Sequence, residues 1–298
     1  MINRALLRTK SVQVLYSMYV KQNLDLTLAE SEIAMSAQKS YELYHYIMLL
    51  MIEVQHTARI RNEAIFNRLG ENRGKEAIDN RFINNRFIQQ LEANEELQSR
   101  VTDEKLSWSG KQDVVKSILK SVLESDYYAE YIANKEDNYQ ADKELWRKIL
   151  KKEILDSEDV EKVLEDENLY WYSGVDLIVE FIIKTIKMFD SETGSEQPLL
   201  PKFDTAKGES LQYAIDIVDQ VLLHSAESDE VIKSHLQNWE LHRVPIIDRV
   251  ILKCAIAEMT TNPMTPKSII INEYVEIAKH FSSPKSAKFI NGVLDKLK

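Results

Sequence analysis

The sequence predicts an all-α protein, and three observations carry that prediction. Only 7 Gly and 6 Pro occur in 298 residues, whereas a sheet protein consumes both in its many turns. Apolar residues recur at spacings of three and four through long polar stretches, the period of a half-buried helix. Late in the chain, Thr265–Pro266 and Ser283–Pro284 read as helix starts, a capping hydroxyl followed by proline in the first turn.

Taken in order, the first helix is expected over about Asn3 to Gln22, with Leu7, Val12, Val14, Leu15, Met18 and Tyr19 as its apolar positions. A polar break, NLDLT, follows at 23–27. A long helix over about Ala37 to Leu69 has Tyr41, Tyr44, Ile47, Met48, Met51, Ile52 and Ile60 as its apolar set, and GENRG at 70–74 stops it. The run YIMLLMI at 46–52 is too short to span a membrane, which takes roughly 20 residues, and reads as a buried helix. A polar helical region at 76–106, a loop SWSGK at 107–111 and helices at about 111–124, 126–136, 139–153 and 158–167 come next. Residues 170–189 form a strongly apolar helix. SETGSEQPLLPKFD at 191–204 reads as a linker, because it holds two prolines and no periodic pattern. Pro245 begins a helix to about Met259, NP at 262–263 breaks it, and two further helices end near Phe281 and Leu297. Gly292 lies inside the last of these, at a cost of about 1 kcal/mol, which predicts close packing against a neighbour.

Charge narrows the function. The chain carries a net −10, which by itself argues against a nucleic-acid binder. Its distribution argues otherwise: residues 1–24 carry +4 and residues 265–298 carry +3, leaving −17 between them. Cys254 is the single cysteine, so no intrachain disulfide forms, and its place between Leu252 and Ala255 reads as core packing. A reducing cytosol is the expected setting, and MINRALLRTK lacks the apolar core of a secretion signal. No Gly-rich phosphate loop, HExxH-type histidine pair or placed carboxylate pair is visible, so no catalytic residue, metal or cofactor is expected.

Arg4 and Arg8 are four apart and share a helix face near the N-terminus. Guanidinium groups grip phosphates in two-pronged geometry, which suits an RNA backbone. Taken alone, the spacing reads as a solvated face rather than an RNA contact. Lys285, Ser286, Lys288 and Phe289 open the last helix, where free N–H groups and the positive dipole end suit phosphate. An aromatic beside basic residues can stack on an unpaired base, although spacing alone would put Phe289 in the core.

RTKSVQVLYSMY near the start, GESLQYAIDIVDQVLLHSAESDEVIKSHLQNWELHRV from 208, and WELHRVPIIDRVILKCAIAEM, INEYVEIAKHF and SAKFINGVLDK towards the end resemble the NusB family of transcription antitermination factors. The resemblance covers about 115 residues and implies a pair of helical bundles. Residues 1–24 would supply the first helix of the N-terminal bundle, 25–205 a large helical insertion in it, 206–243 its remainder, and 244–298 the C-terminal bundle. It further implies a non-catalytic factor that binds single-stranded boxA-type leader RNA with the ribosomal protein NusE, on elongating RNA polymerase with other Nus factors. Carried onto this chain, the RNA surface comprises Arg4, Arg8, Lys279, Phe281, Lys285, Ser286, Lys288 and Phe289. Tyr16, Asp248 and Arg249 would face NusE. Ala5 and Leu6 stand where many members carry arginine. Two alternatives are an acidic helical adaptor without RNA binding, and the NusB-like part of an rRNA methyltransferase, which would need a cofactor-binding sheet and catalytic cysteines.

Overall fold

The computed structural model describes residues 2–70, 77–134, 138–172, 174–199, 209–236 and 240–297. Among them every regular element is helical, and no helix is long and apolar enough to cross a membrane. Two compact units emerge: residues 1–38 with 202–298, and residues 39–201.

Helix α1 spans Ile2–Lys21. Helix α2 spans Leu26–Leu69, 44 residues, and starts well before the expected Ala37. The missed signal is Asp25, whose carboxylate accepts from the backbone N–H of Thr27 at 2.9 Å and of Leu28 at 3.3 Å, capping donors that a helix start leaves free. The 46–52 run is buried throughout, as expected, but Ile60 is 53% exposed and does not belong to the apolar face. Gly70 ends α2 in the left-handed region at φ +57°.

In the 39–201 unit, the polar helical region expected over 76–106 is made of three short helices: α3 Asn80–Ile83, α4 Arg86–Glu92 and α5 Glu95–Asp103. Asp79, Asn85 and Asn94 each turn a side-chain oxygen onto the helix that follows. Such residues compete with the helical backbone and restart it. Helices α6 Gln112–Glu124, α7 Asp126–Ala133, α8 Tyr139–Ile149 and α9 Glu158–Glu167 follow, with α8 running into a π-helical stretch at Leu150–Leu155. The apolar helix expected over 170–189 is broken near Gly174 into α10 Leu169–Tyr172 and α11 Val175–Met188. Tyr46 lies between Trp108 and Trp171, with ring centroids at 4.5 and 4.9 Å, and organises this core. The first part of the expected linker, up to Leu199, is docked rather than free. Asn94 Nδ2 donates to the carbonyls of Ser195 and Gln197, and Leu199 is buried. The rest of that segment, 200–204, lies outside the described residues.

The other unit continues with α12 Glu209–Leu223, α13 Ser225–His235, α14 Ile246–Thr261, α15 Lys267–Phe281 and α16 Pro284–Leu294. Helix α1 packs on α12 and α14, α14 on α15, and α15 on α16. Leu7, Leu15, Ile217, Val218, Ile251, Cys254, Ile271, Tyr274 and Ile290 fill the centre. Pro245 and Pro266 occupy the capping positions of α14 and α15 rather than the first helical turn, so Thr265 is not the cap. Ser283 is: its hydroxyl accepts from the Ser286 N–H at 3.1 Å. Gly292 is exposed, and a Cβ there would meet nothing within 4 Å, so close packing is not its reason.

Candidate nucleic-acid interface

The proline stop before α14 and the Ser283 cap of α16 bring two chain corners together around a cleft of about 470 Å³. Arg243, Val244, Pro245 and Asp248 form one side; Ser283, Lys285, Ser286 and Phe289 form the other. Phe289 is half-buried, neither a core residue nor a free one. Lys285, Lys288 and Arg243 are exposed and make no ion pair among the described residues. An apolar wall with an aromatic edge, two cations at the rim and a helix N-terminus suit a nucleotide whose base enters and whose phosphate stays outside. Ser286 is largely buried, and its hydroxyl pairs with that of Ser283 at 2.9 Å. It shapes the turn rather than facing solvent. The sequence marks Ser283 only as a helix cap and does not mark Arg243; the basic residue two positions before Pro245 is the signal that would have found Arg243.

The other candidates separate sharply. Arg8 is buried, at 3% exposure, and cannot serve as a phosphate grip. Its Nε and Nη2 donate to Glu258 Oε2 and Oε1 at 2.8 and 2.6 Å, and Nη1 donates to Glu273 at 3.0 Å. Burial alone would lower its pKa, but the hydrogen bonds and charge of Glu258 overcome that and raise it, so the group is held as a cation. Arg4, one turn earlier, is exposed and stacks its guanidinium over the Tyr213 ring at 5.1 Å. The two arginines therefore share a side of α1 but not a role. Lys279 is exposed and paired with Glu276, and Phe281 is half-buried; neither lines the cleft.

Of the residues expected to meet a protein partner, Tyr16 is 41% exposed. Asp248 is not an exposed first-turn carboxylate. It is buried to 2% and accepts from Ser282 Oγ at 2.6 Å, tying the start of α14 to the turn before α16. Arg249 is partly buried and reaches both oxygens of Asp229 at 3.2 Å, with Lys253 also on Asp229 at 2.9 Å. Its charge is taken up within the bundle. Cys254 is fully buried, which pushes its thiol pKa up and leaves it unreactive. Among the described residues no group of three or more His, Cys, Asp or Glu gathers to hold a metal.

Fold and site thus define a class, the all-helical proteins with a basic, aromatic-edged cleft at a helix N-terminus. A family model described as "NusB family" matches residues 176–298, beginning within α11 of the 39–201 unit. The transcription antitermination protein NusB of Desulforapulum autotrophicum is 38% identical over 124 residues, 40% of this chain and 87% of that protein. That of Bacillus subtilis is 38% identical over 105 residues, 32% of this chain and 80% of that protein. That of Koribacter versatilis is 47% identical over 83 residues, 28% of this chain and 57% of that protein. With most of two curated relatives aligned at this identity, the chain belongs to the NusB family. The matches also leave more than half of it unaccounted for.

Proposed function

We propose that the chain is a non-catalytic, RNA-binding transcription antitermination factor. It binds single-stranded boxA-type leader RNA of ribosomal RNA transcripts together with NusE, and joins elongating RNA polymerase through other Nus factors. The observation that carries this reading is the cleft formed by Phe289 with the exposed cations Lys285 and Arg243, which make no ion pair among the described residues, at its rim. Unpaired bases offer a π-face to such a residue, and phosphates follow the cations. The curated relatives, each named a transcription antitermination protein, support the antitermination part of this reading. Arg4, Lys285, Lys288 and Phe289 carry the RNA contact, and the exposed Tyr16 belongs to the NusE face.

The test is RNA binding by the full chain, with and without NusE, to a boxA-like RNA and a scrambled control. Preferential binding of the boxA-like RNA, strengthened by NusE, is expected. A second reading, an acidic helical adaptor without RNA binding, draws support from the charge distribution. Residues 39–201 carry 22 basic and 32 acidic groups, so the whole net −10 resides there and the other unit is neutral. Equal, weak binding of both RNAs in every condition would favour the adaptor.

A further inference from the structure

Two guanidinium groups share one aromatic ring in the α1–α12 packing. Tyr213 of α12, buried to 7%, lies with its ring centroid 5.7 Å from Cζ of Arg8 and 5.1 Å from Cζ of Arg4. The two cations differ in every other respect. Arg8 is buried and neutralised by Glu258 and Glu273, so it cannot leave the ring. Arg4 is exposed and has no carboxylate partner among the described residues. The ring itself is fixed, because Tyr213 sits in the core beside Ala214 and Ile217. An exposed arginine normally spends rotamer entropy when it is ordered on a ligand. Held on a rigid π-face, Arg4 has spent part of it in advance while keeping its charge free.

We propose that Tyr213 is the positioning residue for Arg4, holding that guanidinium ready for a backbone phosphate of single-stranded RNA. The inference rests on the RNA-binding reading above and adds to it a residue that touches no RNA. The chemistry favours a phosphodiester because a guanidinium grips phosphate oxygens in two-pronged geometry and the first 24 residues hold no acid to compete for Arg4. Arg4 is the member of that set whose charge is both exposed and held in place by a neighbour.

The experiment is a double-mutant cycle on the full chain: wild type, Arg4→Gln, Tyr213→Leu and the double variant, with Tyr213→Phe as the ring-preserving control. Affinity for a boxA-like RNA is measured across a salt series, beside a melting curve for each variant. Arg4→Gln should lower the log–log salt slope by about 0.7, the loss of one single-strand phosphate contact. Tyr213→Leu should weaken binding roughly three- to tenfold with the slope unchanged, since the charge remains and only its placement is lost. In the Arg4→Gln background the same change should matter less than about twofold, and Tyr213→Phe should bind as wild type. Equal losses in both backgrounds would make Tyr213 a core residue only and overturn the proposal while RNA binding stands. A wild-type chain that binds no RNA overturns the underlying reading and this inference together. Should Tyr213→Leu fail to fold, the wild-type protein still decides. Ring current should shift the Arg4 δ-methylene protons upfield in the NMR spectrum, and unshifted protons rule the clamp out.

Discussion

Arg8→Ala removes the cation that neutralises Glu258, whose side chain has no solvent exposure, and leaves that carboxylate buried among Tyr213, Tyr274 and Cys254. Removing one member of a buried pair costs about 3–5 kcal/mol, because the survivor is desolvated without compensation. The second pair, with the more exposed Glu273, adds little. For a helical unit of this size, roughly 3 °C of melting temperature accompanies each kcal/mol, so a drop of about 9–15 °C is expected. Arg8→Met with Glu258→Leu should recover most of the loss, because an apolar pair of similar volume needs no counter-charge. The assay is urea and thermal unfolding of the wild type and the two variants, beside RNA affinity across a salt series. RNA affinity per folded molecule and its salt slope should stay at wild-type values. An Arg8→Ala protein with wild-type stability and a salt slope lower by about 0.7 would refute the reasoning and restore Arg8 as a phosphate contact.

Three other outcomes are expected. Asp248→Ala breaks the buried hydrogen bond to Ser282 at the edge of the cleft; a loss of about 1–3 kcal/mol of stability and weaker RNA binding with no protein partner present should be measured by unfolding and titration, and RNA affinity lost only when NusE is added would contradict this. Lys10 is 2% exposed, and burial pushes its pKa down to about 8 from 10.5, opposed by the charge of Glu32. Below pH 8 the folded state must hold a dry cation, at a cost of about 3 kcal/mol; stability should therefore rise between pH 8 and 10, where only the unfolded chain keeps the proton, and Lys10→Met should be more stable at pH 7 and lose the slope. Phe289→Ala, at a half-buried position on the cleft, should cost about 1–3 kcal/mol of RNA affinity with little change in urea midpoint; a stability loss near 4 kcal/mol with normal affinity of the folded fraction would return Phe289 to the core.

The helical class, the burial of 46–52, the core place of Cys254 and the Ser283 cap were legible in the sequence, because each depends on contacts within a few residues or on a period of three to four. Helix breaks were less legible. The early start of α2 and the divisions of 76–106 and 170–189 hang on single residues, Asp25, Asn85, Asn94 and Gly174, whose side-chain or backbone choice competes with a periodicity that runs on past them. The clearest contrast is between Arg4 and Arg8. A spacing of four residues puts them on one side of α1, and nothing local distinguishes them. Their difference comes from Glu258 and Glu273, more than two hundred residues along the chain, which meet α1 only when α14 and α15 pack against it. The same holds for Asp248, a helix-dipole carboxylate by its position and a buried tie to Ser282 by its packing. Periodicity, caps and composition state what a residue can do locally. Which charges stay free for a ligand is decided by long-range burial, because a charge taken out of water must find its partner inside the fold.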